Sequence, residues 1–85
     1  MDQATRTIIK TINHEHNKKS ETMFNMLAGM ARVRKDDEPH LEEIKIEAQL
    51  EALQQVYVSL IYGIREAGLI TKEETTDILS GNFKE

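Results

Sequence analysis

Between residues 39 and 67 the apolar side chains recur on a fixed step. Ile46, Leu50, Leu53, Tyr57, Leu60, Ile64 and Ala67 follow one another at intervals of 4-3-4-3-4-3. That spacing is a heptad seam, which keeps one helix stripe against a partner helix packed at a shallow angle. The start is marked by Asp36, Asp37 and Glu38, whose charge suits the positive end of a helix, and by Pro39, which fits a first turn. The stop is marked by Gly68 at the position that favours a left-handed residue, with Leu69 after it and Ile64 as its apolar counterpart. Thr71 and Glu74 then form the pattern of a capping box, opening a short helix over about 72–79 that ends near Ser80 and Gly81.

VYVSLIYGI, residues 56–64, is rich in β-branched and aromatic residues and in isolation reads as a strand. The seam passing through it and the caps beyond it decide for helix. Val56, Tyr57, Val58, Leu60, Ile61, Tyr62 and Ile64 surround that helix on every side, so a single neighbouring helix cannot cover them all. The expectation is self-association through Val56, Tyr57, Leu60, Ile61 and Ile64, joined by Ile8 and Ile12.

In the first half, Ile8, Ile9 and Ile12 make one apolar patch, and Met23, Phe24, Met26, Leu27, Met30 and Val33 make another. NHEHNKKSET, between them, has no large apolar residue. Two readings compete: one helix over about 2–34, bent or frayed in its middle, or two helices broken near 17–20 with Ser20 as N-cap. The phase 9, 12, 16, 19, 23, 26, 30, 33 favours the single helix and places His16 and Lys19 in its seam. A turn near 35–38 then returns the chain antiparallel. Ile8, Ile9 and Ile12 meet the Leu60 to Ile64 end, and Met23 to Met30 meet Ile44 to Leu50. The fold expected is all-α: one domain over 1–85, an antiparallel hairpin of two long helices (2–34 and 39–67) with a short C-terminal helix, assembled as a dimeric helical bundle.

Composition sharpens this picture. A chain of 85 residues has a small core; domains near this size bury only about 60% of the surface their unfolded chains expose. The absence of cysteine removes disulfides and thiolate metal sites, leaving oligomerisation as the route to further burial. Asp2 and Gln3 follow Met1 with no apolar stretch of signal-peptide type, and VYVSLIYGI is too short to span a bilayer. A cytoplasmic protein without membrane contact is expected. The net charge of −4 hides an asymmetry: residues 1–35 hold seven Lys/Arg against three Asp/Glu, and residues 36–85 hold four against twelve.

Candidate chemistry is sparse. His14 and His16, two apart, point to opposite sides of a helix, whereas a helical metal pair needs a spacing of three or four. No third ligand converges on them, so no metal or other cofactor is expected; they read either as two solvated histidines or with His16 partly buried and hydrogen-bonded near Tyr57. Neither a phosphate-binding glycine loop nor a nucleophile elbow occurs, and no enzyme is expected. Arg32, Arg34 and Lys35 form a basic cluster, but acidic overall charge and the lack of interleaved aromatics leave nucleic acid as the lesser reading. Glu43, Glu47 and Glu51 lie four apart, a spacing at which like charges cost a helix roughly 0.2–0.5 kcal/mol per pair. Either Lys45 and the cations of the first helix neutralise them and they form a solvated face, or they are a candidate docking stripe for an unidentified partner protein. Met23, Met26 and Met30 read first as core or dimer interface; as a surface they are candidates for the same role, since methionine surfaces repack against varied partners.

GLITKEETTDIL, residues 68–79, resembles the short C-terminal motif of SHOCT domains over twelve residues, departing at Thr75, where an aromatic is usual. Capping chemistry alone generates most of that pattern, and the resemblance implies nothing further about function. The expected role is a non-enzymatic protein-interaction module: a small regulator, adaptor or inhibitor that occupies a larger partner, of a kind common in phages and mobile elements. The alternative is a small DNA-binding regulator using the basic first half.

Overall fold

The protein is described by a computed structural model over residues 1–33 and 40–84. Three helices follow in order: α1, Gln3–Val33; α2, Leu41–Glu66; and α3, Lys72–Leu79. The two long helices pack along one another as an antiparallel hairpin, and α3 folds back on the C-terminal part of α2. The residues read as the turn, 35–38, and Pro39, read as the start of the second helix, lie outside the described residues. α2 begins at Leu41, two residues later than expected.

α1 is unbroken through the polar stretch. Asp2 opens it, its carboxylate accepting the Thr5 backbone N–H at 2.7 Å. Along its length Thr7, Thr11 and Thr22 donate their hydroxyls to carbonyls one turn back, so these polar residues are satisfied inside the helix they occupy. α2 ends as the Gly68 pattern requires. Gly68 has φ of 80°, its N–H reaches the Arg65 carbonyl at 2.9 Å, and the Leu69 N–H reaches Ile64 at 3.2 Å. Those two bonds are the Schellman pair. Leu69 itself stays exposed, and the next residue, Ile70, enters the core. The α3 capping box is complete, with Thr71 Oγ1 accepting from Glu74 at 3.1 Å and Glu74 Oε1 accepting from Thr71 at 2.8 Å. Gly81, φ 84°, closes α3 with a second Schellman pair, Gly81 to Ile78 and Asn82 to Asp77.

The seams differ from the strict heptad at one step in each long helix. On α1 the inward residues are Thr5, Ile9, Ile12, His16, Ser20, Met23, Leu27 and Met30, so Ser20 and Leu27 replace Lys19 and Met26. On α2 they are Ile46, Leu50, Leu53, Tyr57, Ile61 and Ile64, so Ile61 replaces Leu60. Both lists average about 3.6 residues per step, the period of a helix with little supercoil. On α2 the physical reason is the third helix. α3 lies beside the end of α2 and turns Ile61 inward, leaving Leu60 on the flank.

Ile9, Ile61, Ile70 and Ile78 form the core, where α1, α2 and the α3 region meet, with Met1, Ile12, Tyr57, Ile64, Leu79 and Phe83 packed around them. The tail is held to α1 by Arg6, which donates to the Lys84 carbonyl at 2.9 Å and lies over the Phe83 ring at 5.5 Å. The Met1 amine pairs with Glu74 at 3.3 Å. Toward the other end of the hairpin, Ile46 is the buried apolar residue. The molecule is accordingly a rod of 51 × 21 × 16 Å with a radius of gyration of 16.1 Å, against about 12 Å for a compact chain of this length.

Two substitutions of the same kind should act with opposite sign. Gly68→Ala places a side chain in the left-handed region and should cost about 1–2 kcal/mol. Gly29→Ala, inside α1 with open space around its Cα, should add about 0.5–1 kcal/mol. Thermal melts followed by circular dichroism should move apart by several degrees, since about 1 kcal/mol corresponds to roughly 4–8 °C in a domain this small. Ile61→Ala, which empties a site with no exposure, should lower stability by about 2–5 kcal/mol.

Candidate interaction surface

Midway along the hairpin the apolar seam gives way to a polar layer. The Tyr57 hydroxyl donates to the Asn13 side-chain carbonyl across the two helices. His16, one turn further along α1, stacks on the Tyr57 ring with centroids 4.2 Å apart and planes 17° from parallel. Its Nε2 lies 3.5 Å from Ser20 Oγ, and its buried Nδ1 has no partner among the described residues. Burial lowers the His16 pKa from its ordinary 6.5 and raises that of Tyr57 from 10.0. Both rings are therefore favoured in their neutral forms.

These rings floor an open cleft of about 240 Å³ between α1 and α2. Ile12, Glu15 and Lys19 rim it from α1, and Leu53, Val56 and Leu60 from α2. The surface continues along the rod as a second depression that shares Glu15 and Lys19 and reaches Met23, Met26 and Ile46. A third, on the flank of α2, shares Val56 and Leu60 and reaches Ala52. Val56 is 57% exposed, Leu60 48% and Ile8 51%, although all three are large and apolar.

The residues read as an association surface thus divide. Val56, Leu60 and Ile8 are exposed; Ile12, Tyr57 and Ile64 are half-buried against their own core; Ile61 is wholly enclosed by its own chain and cannot be part of such a surface. The acidic stripe divides as well. Glu47 and Glu51 are exposed, but Glu43 is only 4% exposed and turns inward in the first turn of α2, where the helix dipole favours a carboxylate. Of the methionines, Met26 is exposed and Met23 and Met30 are half-buried toward α2. Arg32 is exposed in the last turn of α1, while Arg34 and Lys35 lie outside the described residues. His14 and His40 are exposed, and among the described residues no three His, Cys, Asp or Glu side chains gather as a metal site.

Glu15 and Lys19 were not singled out by the sequence reading as surface residues. The signal available was a second stripe on α1, displaced to one side of the core seam: Ile8, Ile12, Glu15, Lys19, Thr22 and Met26, at steps of 4-3-4-3-4. Among the described residues no helix is long and apolar enough to cross a membrane. Comparison with protein-family models, with curated proteins and with solved structures finds no match to this chain. The likeness of residues 68–79 to a SHOCT motif is accounted for by the capping box and the Gly68 closure.

The pH dependence follows from the layer. A histidine whose folded pKa lies below its unfolded value binds its proton more readily when the chain unfolds, so stability falls as pH drops below about 6.5. A tyrosine with a raised pKa acts in the opposite limb, with stability falling as pH rises past about 10. Glu74 and Asp2 are lowered from 4.5 and 3.8, each first by a backbone hydrogen bond, from Thr71 and Thr5 respectively. Their contributions are lost only below those values. Melting temperature should therefore decline between pH 7.5 and 5.5, and His16→Gln should flatten that decline; an equally steep decline in the variant would show that another group controls it.

Proposed function

We propose that this chain is a non-enzymatic protein-interaction module, acting as a small regulator, adaptor or inhibitor by laying its helix faces on other chains. The observation that carries this reading is the distribution of apolar side chains on α2. One helix partner covers one stripe, yet large apolar residues are exposed on two further sides. Val56 and Leu60 occupy the flank beside the cleft. Ile44, Val58 and Tyr62 are exposed on the outward face and share its stripe with Glu47 and Glu51. An apolar strip bordered by carboxylates suits a partner whose own apolar surface is bordered by lysine or arginine, the charges serving orientation and encounter rate.

Affinity capture from the cell of origin tests the outward face. Glu47→Lys/Glu51→Lys and Val58→Ser/Tyr62→Ser should each deplete a protein that the unaltered chain retains. If the captured set is empty, or is the same for all three baits, the outward face is solvated surface and this reading fails. DNA binding through the basic first half predicts instead a tight mobility shift that weakens steeply with salt.

A further inference from the structure

We propose that the cleft face is the seat of a second copy of this chain, laid antiparallel across it about a two-fold axis that crosses α1 at the level of Asn17. The proposal rests on the interaction-module reading and names one partner for one of its surfaces. The stripe of Ile8, Ile12, Glu15, Lys19, Thr22 and Met26 carries the contact. About residue 17 this stripe is symmetric in position and complementary in character: 8 mirrors 26, 12 mirrors 22, and 15 mirrors 19. In an isologous contact each surface meets itself reversed. Ile8 then lies over Met26 of the second copy, Ile12 over its Thr22, and Glu15 over its Lys19, with every pair made twice.

Neither Glu15 nor Lys19 forms an ion pair within its own chain among the described residues, so both charges are free to answer across an interface. A parallel arrangement, with α1 of one copy on α2 of the other, lays the two charges against Val56 and Leu60 and leaves them unpaired, which desolvation penalises. On α2, Val56 and Leu60 supply the apolar area beside the stripe.

The area is of the right size. A compact protein of 9.8 kDa exposes about 5,200 Å², and this chain exposes 6275 Å². The excess is about 1,100 Å², and a standard interface takes roughly 800 Å² from each partner. One face of the rod can supply that without disturbing the isoleucine core.

The test is the molar mass of the full chain, by gel filtration with light scattering at tens of micromolar, with Glu15→Lys, Lys19→Glu and Leu60→Glu as variants. All three positions are exposed, and circular dichroism checks that each variant stays helical. The unaltered chain should run at twice 9.8 kDa. Each substitution should weaken association roughly tenfold or more, because it enters the interface twice and sets like charges together or buries one. The decisive sample is an equimolar mixture of the Glu15→Lys and Lys19→Glu chains. Neither has a Glu15–Lys19 pair of its own, yet across the proposed interface every charge meets its opposite, so the mixture should regain the mass that each chain alone lost.

A dimer untouched by the single reversals, or a mixture that fails to recover, overturns the antiparallel arrangement. A monomer at all concentrations overturns the proposal altogether. In each of these cases the module reading still stands or falls on capture by the outward face.

Discussion

Four isoleucines at one end of a rod set the terms for everything else in this protein. Ile9, Ile61, Ile70 and Ile78 gather into one enclosed cluster because three segments converge there, whereas two helices alone enclose Ile46 singly. Elsewhere only two helices run side by side. Two cylinders in contact shelter one stripe each, so the hairpin must leave most of its helix surface to water or to other molecules. Exposure of Val56, Leu60, Val58 and Tyr62 is thus a consequence of topology. The α3 segment is too short to extend the core beyond its own end.

The polar layer in the middle has a structural logic of its own. Asn13 and Tyr57 are joined across the helix pair, and His16 lies flat on the same ring. A single cross-helix hydrogen bond contributes about 1 kcal/mol. Its larger effect is on alternatives, since sliding one helix past the other would separate the two groups and leave each in a partly buried place unsatisfied. The layer therefore holds the register that brings Ile9 opposite Ile61. Because His16 and Tyr57 also floor the cleft, any chain covering it takes these rings further from water and favours their neutral forms more strongly.

Local chemistry and long-range packing were legible to different degrees. The ends of α2 and α3 are written in a few adjacent residues: Gly68, the Thr71–Glu74 pair and Gly81 form the bonds their order implies. The pairing of the isoleucine end with the Leu60 to Ile64 end followed from sequence, because an antiparallel return leaves little choice of register; between a solvated His16 and one beside Tyr57 the sequence left the choice open, and the structure places it on the Tyr57 ring. Lys19, Met26 and Leu60 were assigned inward, and the structure turns their neighbours Ser20, Leu27 and Ile61 inward in their place. Glu43 looked like one more residue of an exposed acidic stripe and is buried. For the first three the difference is one residue, or about 100° of helix rotation; for Glu43 it is the drift of about 40° per step that a four-residue spacing accumulates.

The amino-acid order by itself determined the helical class, the caps and the antiparallel return, because those depend on backbone bonds and side chains within a few residues of one another. The fine rotation of each helix, which of two adjacent residues faces inward, was decided only by the assembled structure. The third helix approaches α2 from one direction, and it is that approach which draws Ile61 in and leaves Leu60 out. A heptad pattern permits either within its tolerance, since neighbouring apolar residues at 60 and 61 carry equal hydrophobicity and differ only in where the rest of the chain stands.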